Sequence, residues 1–263
     1  MGGNAFPGAR ASGGPALCLD LTAYARRVFG SGEPEWFDTP TLMAQLRQAQ
    51  QSLRADWVLL PLLDWAAAWW PARRPGADTG RSPLRVLKTR LEDPALRAAL
   101  VDVLRALHGV IGNARLALQL GSGAQWLAWA GDDEADADDA EEALVYLAAL
   151  LHGMAGSGIA AVVVEQAGEQ PEDLDEHFAA LTNAARHHGW PCALCAAELS
   201  GPPAGFDTLA CRTPAAGQGL WLAENDWRDS TTSPAAPFIV ARVPGDITPD
   251  AVLSQVAQWR DAR

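Results

Sequence analysis

At 263 residues the chain is long enough for a single α/β barrel, which typically runs to ~250 residues, or for two smaller domains. Apolar residues make up 49% and the formal net charge is −12, with Lys88 the only lysine and arginines scattered, which excludes a nucleic-acid backbone or an anionic membrane surface as partner. No run reaches the roughly 18 apolar residues of a membrane span, and Cys18, Cys192, Cys195 and Cys211, with no secretory signal ahead of them, predict a reduced, cytoplasmic protein.

Residues 1–15 are rich in Gly, Ala and Pro and predict a flexible lead-in to a single domain over 16–263. The short apolar run 16–21 (ALCLDL) predicts a first strand ending near Asp20. A helix is expected over 37–53, with Asp38 or Thr39 as cap, Pro40 in its first turn and Leu42, Leu46 and Leu53 on one face. Residues 56–70 (DWVLLPLLDWAAAWW) form the most apolar stretch of the chain. Val58, Leu59, Leu60, Leu62 and Leu63, interrupted by Pro61, read as a second strand, buried on both faces of a parallel sheet. The run stops at Asp64, and α/β proteins place their chemistry at the carboxyl ends of such strands. The same aspartate also suits the cap of a helix beginning at Trp65.

Residues 71–83 read as a loop, and 84–110 carry helical periodicity with a break expected at Pro94. A third strand is expected at 115–120 (RLALQL), followed by Gly121, Ser122 and Gly123. Residues 132–142 hold eight acidic side chains just ahead of a helix expected over 143–155. Acids gather at helix starts because the dipole favours them, and the glycine and closing glutamate of a calcium loop are missing. The fourth strand, 158–165 (GIAAVVVE), again ends on a carboxylate, and 174–187 read as helix. Strands follow at 191–195, 206–211, 219–224 and 238–243, with little sequence between the later ones for helices. The chain closes on a helix over 246–260, with Thr248 as cap and Val252, Leu253, Val256 and Trp259 on one face. Strands alternating with helices over this length predict a (β/α)8 TIM barrel with some shortened or missing helices in the C-terminal half. An open doubly wound sheet is the alternative, weakened by the lack of a Gly-rich fingerprint after the first strand.

Several segments also carry a family pattern. Residues 56–65 end a strand in an aspartate, and 115–129 (RLALQLGSGAQWLAW) give a strand, a small-residue turn and a helix. Residues 140–166 run from a long helix through a glycine into a strand ending in an acid, and 245–260 open on G-x-ITPD. Together they resemble the uroporphyrinogen decarboxylase-like barrels, a superfamily that also holds cobalamin-independent methionine synthase and corrinoid-dependent methyltransferases. The resemblance implies that Asp64 stands where the decarboxylase has the essential aspartate that holds its substrate's pyrrole nitrogens. The family's M-R-Q-A-G-R turn is met here by DLTAYARR, with Arg26 and Arg27 out of pattern, and its histidine before the closing glycine is replaced by Val243–Pro244. Uroporphyrinogen decarboxylation itself is therefore not expected.

The methyltransferase branch uses a His-x-Cys pair and a distant Cys to hold zinc. Here Leu209-Ala210-Cys211 lacks the histidine, and no cysteine follows. Cys192 and Cys195, three apart on one strand, are expected on opposite faces and, with Cys211, read as buried small hydrophobes. His187 and His188 are assigned to the dipole at the end of their helix. No metal and no cofactor are expected.

A closed barrel brings the strand ends together. Asp64 and Glu165 are the expected catalytic carboxylates. Asp20, Trp65, Gln119, Ser122, Gln166, Arg212, Glu224 and Arg242 are the expected substrate-binding residues, on a rim that also holds Glu198, Asn225 and Asp226. Paired carboxylates in a dry pocket can hold different pKa values and serve as acid and base. They can equally hydrogen-bond substrate nitrogens. Trp65 and Trp126 are open either to packing or to forming an aromatic wall for a flat ligand, whereas Trp57, Trp190 and Trp259 are expected to pack. The expected function is a metal-independent, lyase-like enzyme acting on a small nitrogen-containing or heteroaromatic molecule. The alternatives are a barrel that only binds a ligand or partner protein, and a methyltransferase of the methionine synthase or corrinoid type. A homodimer is a compatible state.

Overall fold

Short apolar runs bounded by Gly, Pro and Asp become strands when both of their faces can be buried. They do so in the computed structural model, which describes residues 6, 14–30, 38–73, 81–167, 171–222, 227 and 236–261. The strands are β1 (Ala16–Asp20), β2 (Trp57–Pro61), β3 (Arg115–Leu120), β4 (Ile159–Glu165), β5 (Cys192–Ala196), β6 (Thr208–Cys211), β7 (Gly219–Leu222) and β8 (Phe238–Arg242). Each pairs in parallel with its sequence neighbour and β8 returns to β1, so the sheet closes. Between β1 and β2 lie α1 (Thr22–Phe29) and α2 (Thr39–Leu53). The β2–β3 connection carries α3 (Leu62–Arg73), α4 (Pro83–Glu92) and α5 (Pro94–Val110). Then come α6 (Gly123–Ala130) and α7 (Ala137–His152) before β4, α8 (Leu174–His177) and α9 (Ala179–His187) before β5, and α10 (Pro249–Asp261) after β8. The β5–β6 and β6–β7 connections hold no helix. This is the (β/α)8 barrel with a thinned C-terminal half.

Where helix ends differ from expectation, capping explains the shift. Asp93 caps α5 by accepting from the Ala95 N–H (2.8 Å) and the Leu96 N–H (3.0 Å), which splits the 84–110 run at Pro94. Asp136 caps α7 by accepting from the Asp139 N–H at 2.9 Å, so that helix starts well before residue 143 and takes in part of the acidic run. Asp138 and Asp139 then sit in its first turn, where the dipole favours them. The expected 174–187 helix divides at Phe178. Among the described residues no helix is long and apolar enough to cross a membrane.

Side chains alternate across each strand, which gives the barrel two cores. Outward-facing Leu17, Leu19, Leu60, Leu118 and Val162 meet the helices. Inward, β3 to β6 supply mostly small residues (Ala117, Ala161, Ala193, Cys195, Ala210), and the space is filled by Trp57, Trp221, Phe238 and Phe6. The Phe6 ring packs edge-on against Trp57 at 4.2 Å and is 1% exposed, so the lead-in contributes a core side chain. The rest of 1–13 lies outside the described residues. Gly219 is required by this filling, because a Cβ there would lie 2.1 Å from the Phe238 ring. Outside, Gly123 lets α6 touch α7: a Cβ at that position would lie 1.9 Å from the Ala140 carbonyl oxygen. The helix ring closes where Arg260 of α10 donates to the Leu53 and Arg54 carbonyl oxygens at the end of α2, a cation at a helix C-terminus.

Candidate functional site

The period of two that builds the inner core also builds the site. Continuing inward from Cys18 is Asp20, from Ala117 is Gln119, from Val163 is Glu165, and from Val240 is Arg242. These four occupy the carboxyl ends of β1, β3, β4 and β8, the end at which barrel enzymes work. Asp20 and Arg242 are register partners across the β1–β8 seam.

Asp20 is 1% exposed. One of its oxygens accepts from the Thr22 N–H (2.9 Å) and the Thr22 hydroxyl (2.6 Å), and the other lies 3.4 Å from the Arg242 Nε. Burial raises its pKa, against the opposing pull of Arg242 and of the Thr22 bonds. The same guanidinium reaches outward, with Nη1 donating to Asp64 Oδ2 at 2.7 Å. Asp64 is neither a strand end nor a cap. Pro61 is the last residue of β2, helix α3 begins at Leu62 rather than Trp65, and Asp64 stands in its first turn with a side chain 44% exposed. The helix brings that carboxylate over the mouth, where Arg242 ties it to Asp20.

Glu165 is half-buried. Its Oε1 accepts a hydrogen bond from Gln119 Nε2, and the Trp221 indole N–H also donates to it. Burial raises its pKa; Arg242, Gln119 and Trp221 oppose the rise, and the charge of Asp20 adds to it. The mouth therefore holds two carboxyls pushed toward their neutral forms and a third, Asp64, in an exposed ion pair. Such differing environments are how one site keeps a proton donor beside a fixed negative charge.

The other expected residues fall elsewhere. Trp65 has no exposed surface; it stacks with Trp69 (6.2 Å, 27°) in the layer between strands and helices, and Trp126 is likewise fully buried. Of the two roles open to Trp65, packing or an aromatic wall, the structure shows packing, so Trp65 does not reach the mouth as the substrate-binding residue expected. Ser122 caps α6 in a reciprocal capping box with Gln125. Ser122 and Gln166 line a cavity of about 380 Å³ together with Asp136, Glu172 and His177, and burial lowers the pKa of His177. Arg212 is exposed with its guanidinium 5.2 Å from the Trp221 ring centroid, and Glu198 is exposed nearby in sequence. Glu224, Asn225 and Asp226 lie outside the described residues. Sequence reasoning missed Trp221 and Thr22. Trp221 shares the inward parity of Gly219, the one signal that pointed to it.

The cysteines do not form a metal set. Cys195 faces the inner core while Cys192 and Cys211 face the outer one, as spacing of three on a strand requires. Cys211 faces the outer core, and Leu209 stands where the branch has its zinc-binding histidine. The zinc site of the methyltransferase branch therefore does not fit the described mouth. Among the described residues a group of three metal-donor side chains within 4.8 Å occurs at His152, His187 and His188, at the amino ends of β4 and β5.

Comparison with protein-family models and with curated proteins finds no match. Among solved structures, a methyltransferase from Methanosarcina mazei superposes with a TM-score of 0.61 over 94% of this chain and 94% of that chain, at 13% sequence identity. At that identity the likeness is one of fold: this chain is a (β/α)8 barrel built on the same plan.

Proposed function

We propose that this chain is a uroporphyrinogen decarboxylase-like barrel enzyme that carries out lyase-like proton transfer on a small nitrogen-containing or heteroaromatic molecule. The observation that carries the reading is the half-buried Glu165, held by Gln119 and Trp221 and pushed toward its neutral form, beside the Asp20–Arg242–Asp64 chain. Asp64, the most exposed of the three carboxylates by its position on α3, holds substrate N–H groups. When the bond from the substrate carbon to its carboxylate breaks, carbon dioxide leaves and the electron pair stays on that carbon; the Glu165 carboxyl protonates the carbon, and water reprotonates Glu165, releasing hydroxide. Asp20 is a positioning residue that fixes Arg242, and Arg242 and Arg212 meet substrate carboxylates. The four cysteines are free thiols, which supports a reducing, cytoplasmic setting.

A second reading, methyl transfer, draws support from the fold likeness to the methyltransferase from Methanosarcina mazei. It lacks a zinc-ligand set among the described residues of the mouth.

A thermal-shift screen with tetrapyrroles, pterins, amino acids and corrinoids tests the choice, because a ligand selective for the folded state raises stability by mass action. A small nitrogenous ligand that shifts the parent and is turned over, with turnover lost in Glu165→Gln, is the expected result. Turnover retained in Glu165→Gln overturns the acid role. A shift without turnover for any ligand makes the protein a binder.

A further inference from the structure

We propose that His152, His187 and His188 form a surface site for a borderline divalent transition ion, of which zinc(II) is the type, clamping the ends of α7 and α9 together. His152 is the last residue of α7, His187 the last of α9, and His188 the C-cap of α9. One ring nitrogen from each lies within 4.8 Å of the others, and His152 Nδ1 stands 3.1 Å from His188 Nε2. Zinc holds imidazole nitrogens at about 2.0–2.1 Å in tetrahedral geometry, which places two ligand nitrogens roughly 3.3 Å apart. The pair is therefore within a few tenths of an ångström of the required spacing, and a ring nitrogen of His187 lies within 4.8 Å of both. One ring must change tautomer, since a nitrogen that donates to its neighbour cannot also offer a lone pair to metal.

Two further observations support a cation here. The helices end at the same place, so two sets of terminal carbonyl groups present partial negative charge to it. Trp190 stacks on His188 (4.6 Å, 29°) and fixes the plane of that ring, as a supporting contact does for a metal ligand. Imidazole donors suit zinc, copper and nickel rather than magnesium or calcium. With His152 and His187 exposed, the fourth position is taken by water.

The test uses the full chain stripped with a chelator and exchanged into metal-free buffer. Titration with zinc chloride, followed by calorimetry, is expected to give one site per chain and a rise in melting temperature. Cobalt(II) is expected to give the visible bands of a four-coordinate ion. Loss of a group that merely orients a ligand costs about 10- to 100-fold in metal affinity, so His152→Ala and His188→Ala should each weaken zinc binding at least about tenfold. His108→Ala, an exposed histidine of α5, should leave it unchanged. All these exposed or half-buried changes leave the fold intact, which circular dichroism of the apo variants checks. Absence of binding at submillimolar zinc overturns the proposal. So does parental affinity in the His152 and His188 variants, which would place the metal elsewhere.

Discussion

Arg242→Met removes the cation that joins β8 to both aspartates of the mouth. The two sides of the link differ in what they lose. Asp64 is 44% exposed, and exposed ion pairs contribute ~0–1 kcal/mol. Asp20 is 1% exposed, and breaking a fully buried pair by deleting one partner costs about 3–5 kcal/mol. Here the cost is smaller, because the guanidinium is 29% exposed, stands 3.4 Å away, and leaves Asp20 its two bonds from Thr22. Near neutral pH the expected loss is therefore about 2 kcal/mol, roughly 5 °C in Tm for a chain of this size. The sign of its pH dependence follows from linkage. Asp20 already has a raised folded pKa, and losing Arg242 raises it further. A raised carboxyl binds more protons folded than unfolded, so its stability contribution is full below the unfolded pKa and is lost as pH rises through the folded one. The deficit of Arg242→Met should thus shrink on mild acidification. Urea unfolding at neutral and mildly acidic pH measures both, and Asp20→Asn in the Arg242→Met background should recover most of the loss. A deficit under about 0.5 kcal/mol, equal at both pH values, refutes the reasoning.

The remaining predictions concern other parts of the same structure. Asp64→Asn should weaken ligand binding or turnover while moving stability by less than about 1 kcal/mol; ligand-dependent and apo melting curves separate the two. Phe6→Ala should cost about 3 kcal/mol in urea unfolding, since it empties a fully enclosed aromatic site. A variant as stable as its parent would mean that the ring does not seal the barrel. Gly123→Ala should destabilise by about 1–3 kcal/mol because the added methyl meets the Ala140 carbonyl, again read by urea unfolding. Glu165→Gln should melt no lower than the parent, because it removes a charge whose burial is unfavourable.

The barrel was legible because short apolar runs separated by Gly, Pro and capping acids leave few ways to be buried. The strand-end positions Asp20, Gln119, Glu165 and Arg242 followed from that alternation. What chooses among them was not legible. The Arg242–Asp64 contact spans 178 positions, and nothing local announces it. Asp64 was placed at a strand end because Leu62 and Leu63 extend the apolar run; hydrophobicity alone does not distinguish a buried strand from the first turn of a helix beneath it. The fate of Trp65 was hidden for a related reason, since both the outer core and a pocket accept a tryptophan. His152 and His188 lie 36 positions apart and meet only because α7 and α9, the helices that lead into β4 and β5, end at the same rim.

Trp221 has a role beyond either description given to it. It fills the interior among small side chains, donates to Glu165 and lies under Arg212. A residue that is at once load and hinge for acidity makes the packing of β7 a control on proton affinity at the mouth. Drift in the size of Ala193 or Ala210 would tilt the indole and retune Glu165 without touching any rim residue. In such a barrel, chemistry can diverge from the inside, through substitutions that look like ordinary core changes.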